Sequence, residues 1–277
     1  MPGCNKSARS GSQRAPKSTK ELVWYLAYGS NMSTGKFTGS RGIVPLAAAR
    51  VRAPGRILAF NIPGLPYSEP TFTSIAPREP ALLTRPEKKP SPDLLGVAYL
   101  ITERQYVQVR ASEGGGIAYD DIEVDAVPVD AEDAKVTGPN IRARTLAAAI
   151  ERNPWPRASE RYMSIIIAGA IEVRMPQYYQ DYLECMPVYQ PPQDTRGKCG
   201  AAIFLAFWGP VMNCMERITK KSIGPDGCAP MAVILLVRWV LVAIWLTHDM
   251  VFAPFFGRGD GCGRAEGQVA RDFDGWV

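Results

Sequence analysis

The sequence predicts an α+β domain followed by an apolar helical C-terminal extension. Three observations carry that expectation. Short apolar runs punctuated by Pro and Gly fill the first half, helical periodicity gathers later, and two long, nearly charge-free runs lie beyond residue 199. A chain of 277 residues with 46% apolar content has enough material for a sizeable core. The expected organisation is a disordered basic leader over 1–20, an α+β domain over 21–190 and the apolar extension over 191–277.

After the leader, residues 22–28 read as a strand that stops abruptly in WYLAYGSNM at Gly29, Ser30 and Asn31. Such an end is either a plain turn or a strand end that opens its backbone amides to a ligand, since small residues let main chain approach closely. Residues 41–62 supply two strands, or a short helix and a strand, broken by Pro54, Gly55 and Pro63. Residues 63–93 are dense in proline and read as a long loop around one β segment, Thr71 to Ile75. LLGVAYLI (94–101) is a strand, and TERQYVQVRASEGGG predicts a short helix from near Thr102 to the glycines. YDDIEVDAVPV alternates apolar and acidic residues, the period of a half-buried strand. Ser159 is an N-cap for the helix in SERYMSIIIAGAIEVRM, and a second helix follows the break at Pro176.

Pro191, Pro192 and QDTRGK read as a linker. GAAIFLAFWGPVMNCM then carries no charge but is broken by Gly209-Pro210, and APMAVILLVRWVLVAIWLTHDM is long and apolar with one arginine, Arg238. A charge near the middle of a spanning helix costs about 2.5 to 3.5 kcal/mol. Residues 200–256 are therefore read as a buried or interfacial helix pair, with a transmembrane segment as the alternative.

Several function classes are set aside. The net charge of +5 owes much to Lys6, Arg9, Arg14, Lys17 and Lys20, which all precede the first acid, Glu21; the body is near neutral, which argues against a nucleic-acid partner. The leader has no apolar run of a secretory signal, so a reducing, cytoplasmic location is expected, and the six widely spaced cysteines without a CxxC pair read as free thiols. The single histidine, His248, excludes a zinc site with several His ligands, and with no nucleophile nearby it reads as structural. The segment Gly29 to Lys36 lacks Walker spacing and has Phe37 where Ser or Thr is required. The SEGGGIAY run lacks dinucleotide spacing.

Among the 27 acids Glu113 stands out. It falls at the predicted helix end beside Gly114, Gly115 and Gly116, and three glycines imply unusual torsions or room for a neighbour. A carboxylate over a glycine-lined hollow is poorly solvated, a setting suited to general-base work; the plain alternative is a solvent-facing helix end.

YLAYGSN followed about 80 residues later by a short helix and SEGGGIAY resembles the γ-glutamylcyclotransferases. SERYMSIIIAGAIEVRMPQYYQDYL is similar to that family's closing helices, and the resemblance covers roughly residues 22–190. EPTFTSIAPRE, GVAYLIT, SEGGGIAY and HDMVFAPFFGRGDG look like a fungal subgroup from gene clusters for gliotoxin-type, sulfur-bridged diketopiperazine toxins. Met32 stands where many relatives carry Leu. The resemblance implies a mixed β-sheet or barrel with packed helices, and release of 5-oxoproline from a small γ-glutamyl peptide or glutathione adduct, with no metal or cofactor. It implies Glu113 as the base and Tyr25, Leu26, Ala27, Tyr28, Gly29 and Ser30 as the substrate-binding strand end, with Tyr162 as a further contact. Two rivals stay open: a non-catalytic, membrane-associated scaffold of the same fold, and a cyclotransferase acting on γ-glutamylamines.

Overall fold

The computed structural model describes residues 21–78 and 91–262. The basic leader and the middle of the proline-rich segment lie outside the described residues. Among the described residues, seven strands and seven α-helices follow in the order β1 (Leu22–Ala27), β2 (Ala47–Ala53), β3 (Arg56–Leu65), β4 (Glu69–Pro77), β5 (Leu94–Thr102), α1 (Glu103–Ser112), β6 (Tyr119–Pro128), α2 (Ala131–Thr137), β7 (Ile141–Ala148), α3 (Glu160–Glu172), α4 (Gln177–Glu184), α5 (Thr195–Ser222), α6 (Met231–Thr247) and α7 (Ala253–Phe256).

Five strands close a barrel in the order β1-β5-β2-β6-β7, and β3-β4 form a separate hairpin. β1 lies antiparallel to β5, with Leu22 opposite Thr102 and Ala27 opposite Val97, and closure comes from the parallel contact of Tyr25 with Arg144. Gly96 makes the β1–β5 approach feasible, because a Cβ there would stand 2.4 Å from the Ala27 carbonyl oxygen. The core holds Leu26, Leu94, Val97 and Ile101, and aromatic rings bridge outward from it. Phe37 stacks on Tyr99 with centroids 4.3 Å apart, and Tyr25 meets Tyr106 edge-on at 5.8 Å.

The sequence expectations for β1, β5, β6, α1, α3 and α4 hold, and residues 41–62 supply strands β2 and β3 with the turn at Pro54-Gly55. Thr102 caps α1 through a reciprocal capping box with Gln105. Three expectations are corrected. Pro63 lies inside β3 opposite Thr71, because a two-stranded hairpin leaves one side of each strand without a ladder partner, where a missing N–H does no harm. The expected loop from residue 63 is thus mostly hairpin up to Pro77. Gly209-Pro210 does not break the first apolar segment: α5 runs unbroken through Pro210. Ala206, whose carbonyl loses its helical donor to Pro210, is exposed, so water can satisfy that oxygen. The linker ends at Asp194, whose carboxylate accepts the Gly197 N–H at 2.8 Å and starts α5, so TRGK belongs to the helix. Residues 129–158, where no element is expected from the sequence, hold α2 and β7.

The C-terminal helices build a small second core from Tyr67, Ile117, Phe204, Val237, Leu241, Ile244 and Trp245. Trp245 Nε1 donates to the Gly64 carbonyl at 3.1 Å, and Arg152 pairs with Asp249 at 2.6 Å, so the extension docks on the hairpin and the β7–α3 connection. Arg238 is not stranded in apolar surroundings: it donates to the Ile117 and Gly116 carbonyls at 2.9 and 3.1 Å. α5 and the segment Met231–Phe256 are each long and apolar enough to cross a membrane, and only 11% and 28% of their most apolar windows are buried.

Candidate active site

The end of β1 and the end of α1 meet at one cleft. β1 carries Tyr25, and after Tyr28 the chain turns at Gly29 into a 3₁₀ turn, Ser30–Met32, closed by the Met32 N–H donating to the Gly29 carbonyl at 3.0 Å. A Cβ on Gly29 would sit 2.5 Å from Thr73 Oγ1, so only glycine lets the strand end come this close to β4. The other side is the end of α1, where Glu113 is the C-cap and Gly114, Gly115 and Gly116 all have positive φ (87°, 58° and 92°). A Cβ on Gly115 would meet the Ala229 nitrogen at 2.8 Å. The glycine run thus serves both needs anticipated from its composition: unusual torsions and room for a neighbour, here the loop ahead of α6.

Tyr25, Tyr28, Gly29, Ser30, Glu113 and Tyr162 all line this cleft, joined by Asn31, Thr73, Tyr119 and Leu146. Leu26 and Ala27 do not line it. Both are buried in the strand behind, because successive side chains of β1 point to opposite faces and both faces are packed, and the Leu26 carbonyl accepts from Thr145 Oγ1 at 2.8 Å.

Among the described residues, Glu113 is the one acid lining the cleft. Its Oε1 accepts from Asn31 Nδ2 at 3.0 Å and from an Arg41 guanidinium in a close ion pair. The hollow is therefore not bare: the carboxylate is charge-compensated and partly exposed, with 22% of its side chain accessible. Both contacts fall on Oε1 and none on Oε2 among the described residues. Asn31 Nδ2 also donates to the Tyr25 hydroxyl at 3.0 Å, tying strand, turn and carboxylate together.

The phenols around Glu113 are held protonated. Burial, then the Glu113 carboxylate, pushes Tyr25 well above the usual phenol range; burial does the same at Tyr28 and Tyr119. Burial pushes Tyr162 up to about 12 against its contact with Thr73 Oγ1 at 2.7 Å. Tyr28 donates to the Leu146 carbonyl and Tyr119 to the Thr73 carbonyl at 2.9 Å. These tyrosines shape and polarise the cleft, and none is a base near neutral pH.

Sequence reasoning missed Asn31, Arg41, Thr73 and Tyr119. Asn31 and Tyr119 sit within the motif stretches YGSN and GGGIAY, whereas Arg41 and Thr73 reach the cleft only through tertiary folding. Away from the cleft, His248 is structural as expected. Its Nε2 accepts the Gly259 N–H at 3.0 Å, which puts the ring proton on Nδ1, donated to Asp249 at 2.9 Å. Asp249 and Asp260 come close enough to His248 to share a cation, but each already holds a guanidinium, from Arg152 and Arg258.

Comparison with known proteins decides the family. The γ-glutamyl cyclotransferase aclK of Aspergillus oryzae is 40% identical over 248 residues, covering 87% of this chain and 90% of that protein. The chain belongs to the γ-glutamylcyclotransferase family. The γ-glutamyl cyclotransferases gliK of Aspergillus fumigatus and of Claviceps purpurea are 36% and 34% identical, covering 86% and 83% of this chain and 89% and 100% of theirs. Residues 194–255 match the family model of the AclK C-terminal domain, so the α5–α6 extension of this cyclotransferase has counterparts of its own. The family and the fungal subgroup anticipated from the sequence motifs both hold.

Proposed function

We propose that this chain converts a γ-glutamyl peptide or glutathione adduct into 5-oxoproline and the shortened amine, with Glu113 as proton carrier. The observation that carries the assignment is Glu113 itself: among the described residues it is the sole acid lining the cleft, beside the small-residue strand end, and its hydrogen bonds fall on Oε1 and none on Oε2. A γ-glutamyl amide contains its own nucleophile. Glu113 takes a proton from the α-ammonium, the amine attacks the γ-carbonyl to close a five-membered ring, and the C–N bond to the leaving amine breaks as Glu113 returns the proton to that nitrogen. Holding the chain folded back for attack is a proximity effect that can contribute up to about 7 to 11 kcal/mol. The main chain at Gly29 and Ser30 is the element for the α-carboxylate or the developing oxyanion, with Tyr25, Tyr28 and Tyr162 as surrounding neutral polar walls. Arg41 fixes Oε1, which leaves Oε2 to carry the proton.

The likeness to the fungal subgroup supports a place in the assembly of a sulfur-containing mycotoxin, where a glutathione-derived adduct loses its γ-glutamyl group. The exposed apolar faces of α5 and α6, with Phe207 63% and Trp239 70% accessible, support association with a membrane surface through residues 200–256. The test is 5-oxoproline release from γ-glutamyl dipeptides, a γ-glutamylamine, glutathione and a bis-glutathione diketopiperazine adduct. Product from a peptide or adduct is expected; folded protein that releases none from any of them contradicts the proposal and leaves the scaffold reading.

A further inference from the structure

A second cleft opens on the far side of Glu113, and the C-terminal extension forms its outer wall. It shares Glu113, Tyr119 and Leu146 with the first, and is otherwise bounded by Arg110 of α1, the glycine run, Asp120 and Asp121 of β6, and Cys228, Met231, Ile234 and Arg238 of the extension. Its volume is about 280 Å³, against about 30 Å³ beside Gly29 and Ser30. The two therefore differ in what they can hold: the first is narrow and polar, the second wide and largely apolar.

The charges of the second cleft are unbalanced in a specific way. Arg110 donates to Cys228 Sγ, and Arg238 to the Gly116 and Ile117 carbonyls, so neither guanidinium has a carboxylate partner among the described residues. Asp121, by contrast, is neutralised by Arg144 and accepts from the Tyr106 hydroxyl at 2.7 Å. What remains is two uncompensated cations, with Asp120 the lone acid left without such a partner, beside the apolar side chains of Met231, Ile234 and Leu146.

We infer that this second cleft is the leaving-amine subsite, and that it selects γ-glutamyl peptides whose amine half carries a free carboxylate and a bulky apolar substituent. The inference rests on Glu113 being the proton carrier, since the scissile nitrogen must lie at the boundary where both clefts meet that residue. The γ-glutamyl half occupies the narrow side, the carboxylate of the departing peptide faces Arg110 and Arg238, and an apolar substituent on that peptide lies along Met231 and Ile234. Residues supplied by the extension thereby set specificity for chemistry performed in the α+β domain.

Three substrates separate these contributions: γ-glutamyl methylamide has neither carboxylate nor bulk, glutathione has the carboxylate alone, and S-benzylglutathione has both. Two variants of the full chain probe the two features. Met231 is 67% accessible, so Met231→Trp fills the cleft without entering a core, and Arg110→Met removes one cation. Arg110→Met is expected to raise KM about tenfold for both peptides with kcat held, and Met231→Trp to do so for S-benzylglutathione alone, while the methylamide stays within about twofold in both. Equal losses on all three substrates, or an unchanged KM for S-benzylglutathione in both variants, would overturn the subsite assignment while leaving the Glu113 reading intact. A wild type that releases 5-oxoproline from none of the three also overturns the subsite assignment, and the Glu113 reading then falls only if the dipeptides and the bis-glutathione adduct give no product either.

Discussion

Glu113 works within a small set of side chains whose separation in sequence hides their proximity. Asn31 lies 82 residues away and Arg41 lies 72 away, yet both donate to the same carboxylate oxygen. The carboxylate was legible in the sequence because three glycines follow it, and the strand end because Gly-Ser-Asn interrupts an aromatic run. Arg41 was not legible: it follows a single π-helical turn, Gly35–Ser40, that no periodicity announces. Its removal gives a test at this scale. Arg41→Met leaves Oε1 with Asn31 alone and frees the carboxylate to rotate, and a fall in kcat/KM of about tenfold to a hundredfold is expected from steady-state 5-oxoproline release. Wild-type kinetics in that variant would show that the ion pair does not position Glu113.

At the scale of elements, legibility followed local signals. The helix after β5 was readable because Tyr106, Val109 and Arg110 fall at helical spacing ahead of the glycines, and α3 because Ser159 is an N-cap residue, whose Oγ accepts the Tyr162 N–H at 3.0 Å. β7 carries the alternation of a half-buried strand in IRARTLAA, but its apolar positions include Ala143 and it lies between polar turns, a faint pattern beside that of β6. Pro63 and Pro210 misled for a common reason: proline harms a strand or helix only where the lost N–H is needed, and neither position needs it. The glycine run is the opposite case, because the backbone depends on it. Gly115→Ala places a side chain at φ 58° and within 2.8 Å of the Ala229 nitrogen. A loss of about 1 to 3 kcal/mol is expected in urea unfolding, together with reduced turnover because the loop carries Glu113. Unchanged stability would mean that the 223–229 loop yields freely.

For the molecule as a whole, the sequence indicated a second apolar unit but not how it attaches. Its charged anchor shows the reason, since Arg152 and Asp249 lie 97 residues apart along the chain and no spacing links them. Asp249 gives this docking a pH dependence. Burial opposes ionisation of its carboxyl, but the His248 hydrogen bond and Arg152 outweigh that and hold it below the usual carboxylate value. A depressed native value means the stabilisation is complete above the unfolded value, about 4, and is lost as pH falls through the native one. Amide hydrogen exchange of α6 in wild type and Asp249→Asn should therefore differ at pH 6 and converge in acid; equal protection at pH 6 would show that Asp249 does not hold the extension. Both clefts share the Glu113 carboxylate, and its role is read from 5-oxoproline release from glutathione and an S-substituted glutathione by wild type and Glu113→Gln, with thermal melts of both. The amide keeps the shape and cannot take the proton, so a loss of turnover of about 10² to 10⁴ with an unchanged melt is predicted. Turnover near wild type in Glu113→Gln would mean that Glu113 is not the proton carrier.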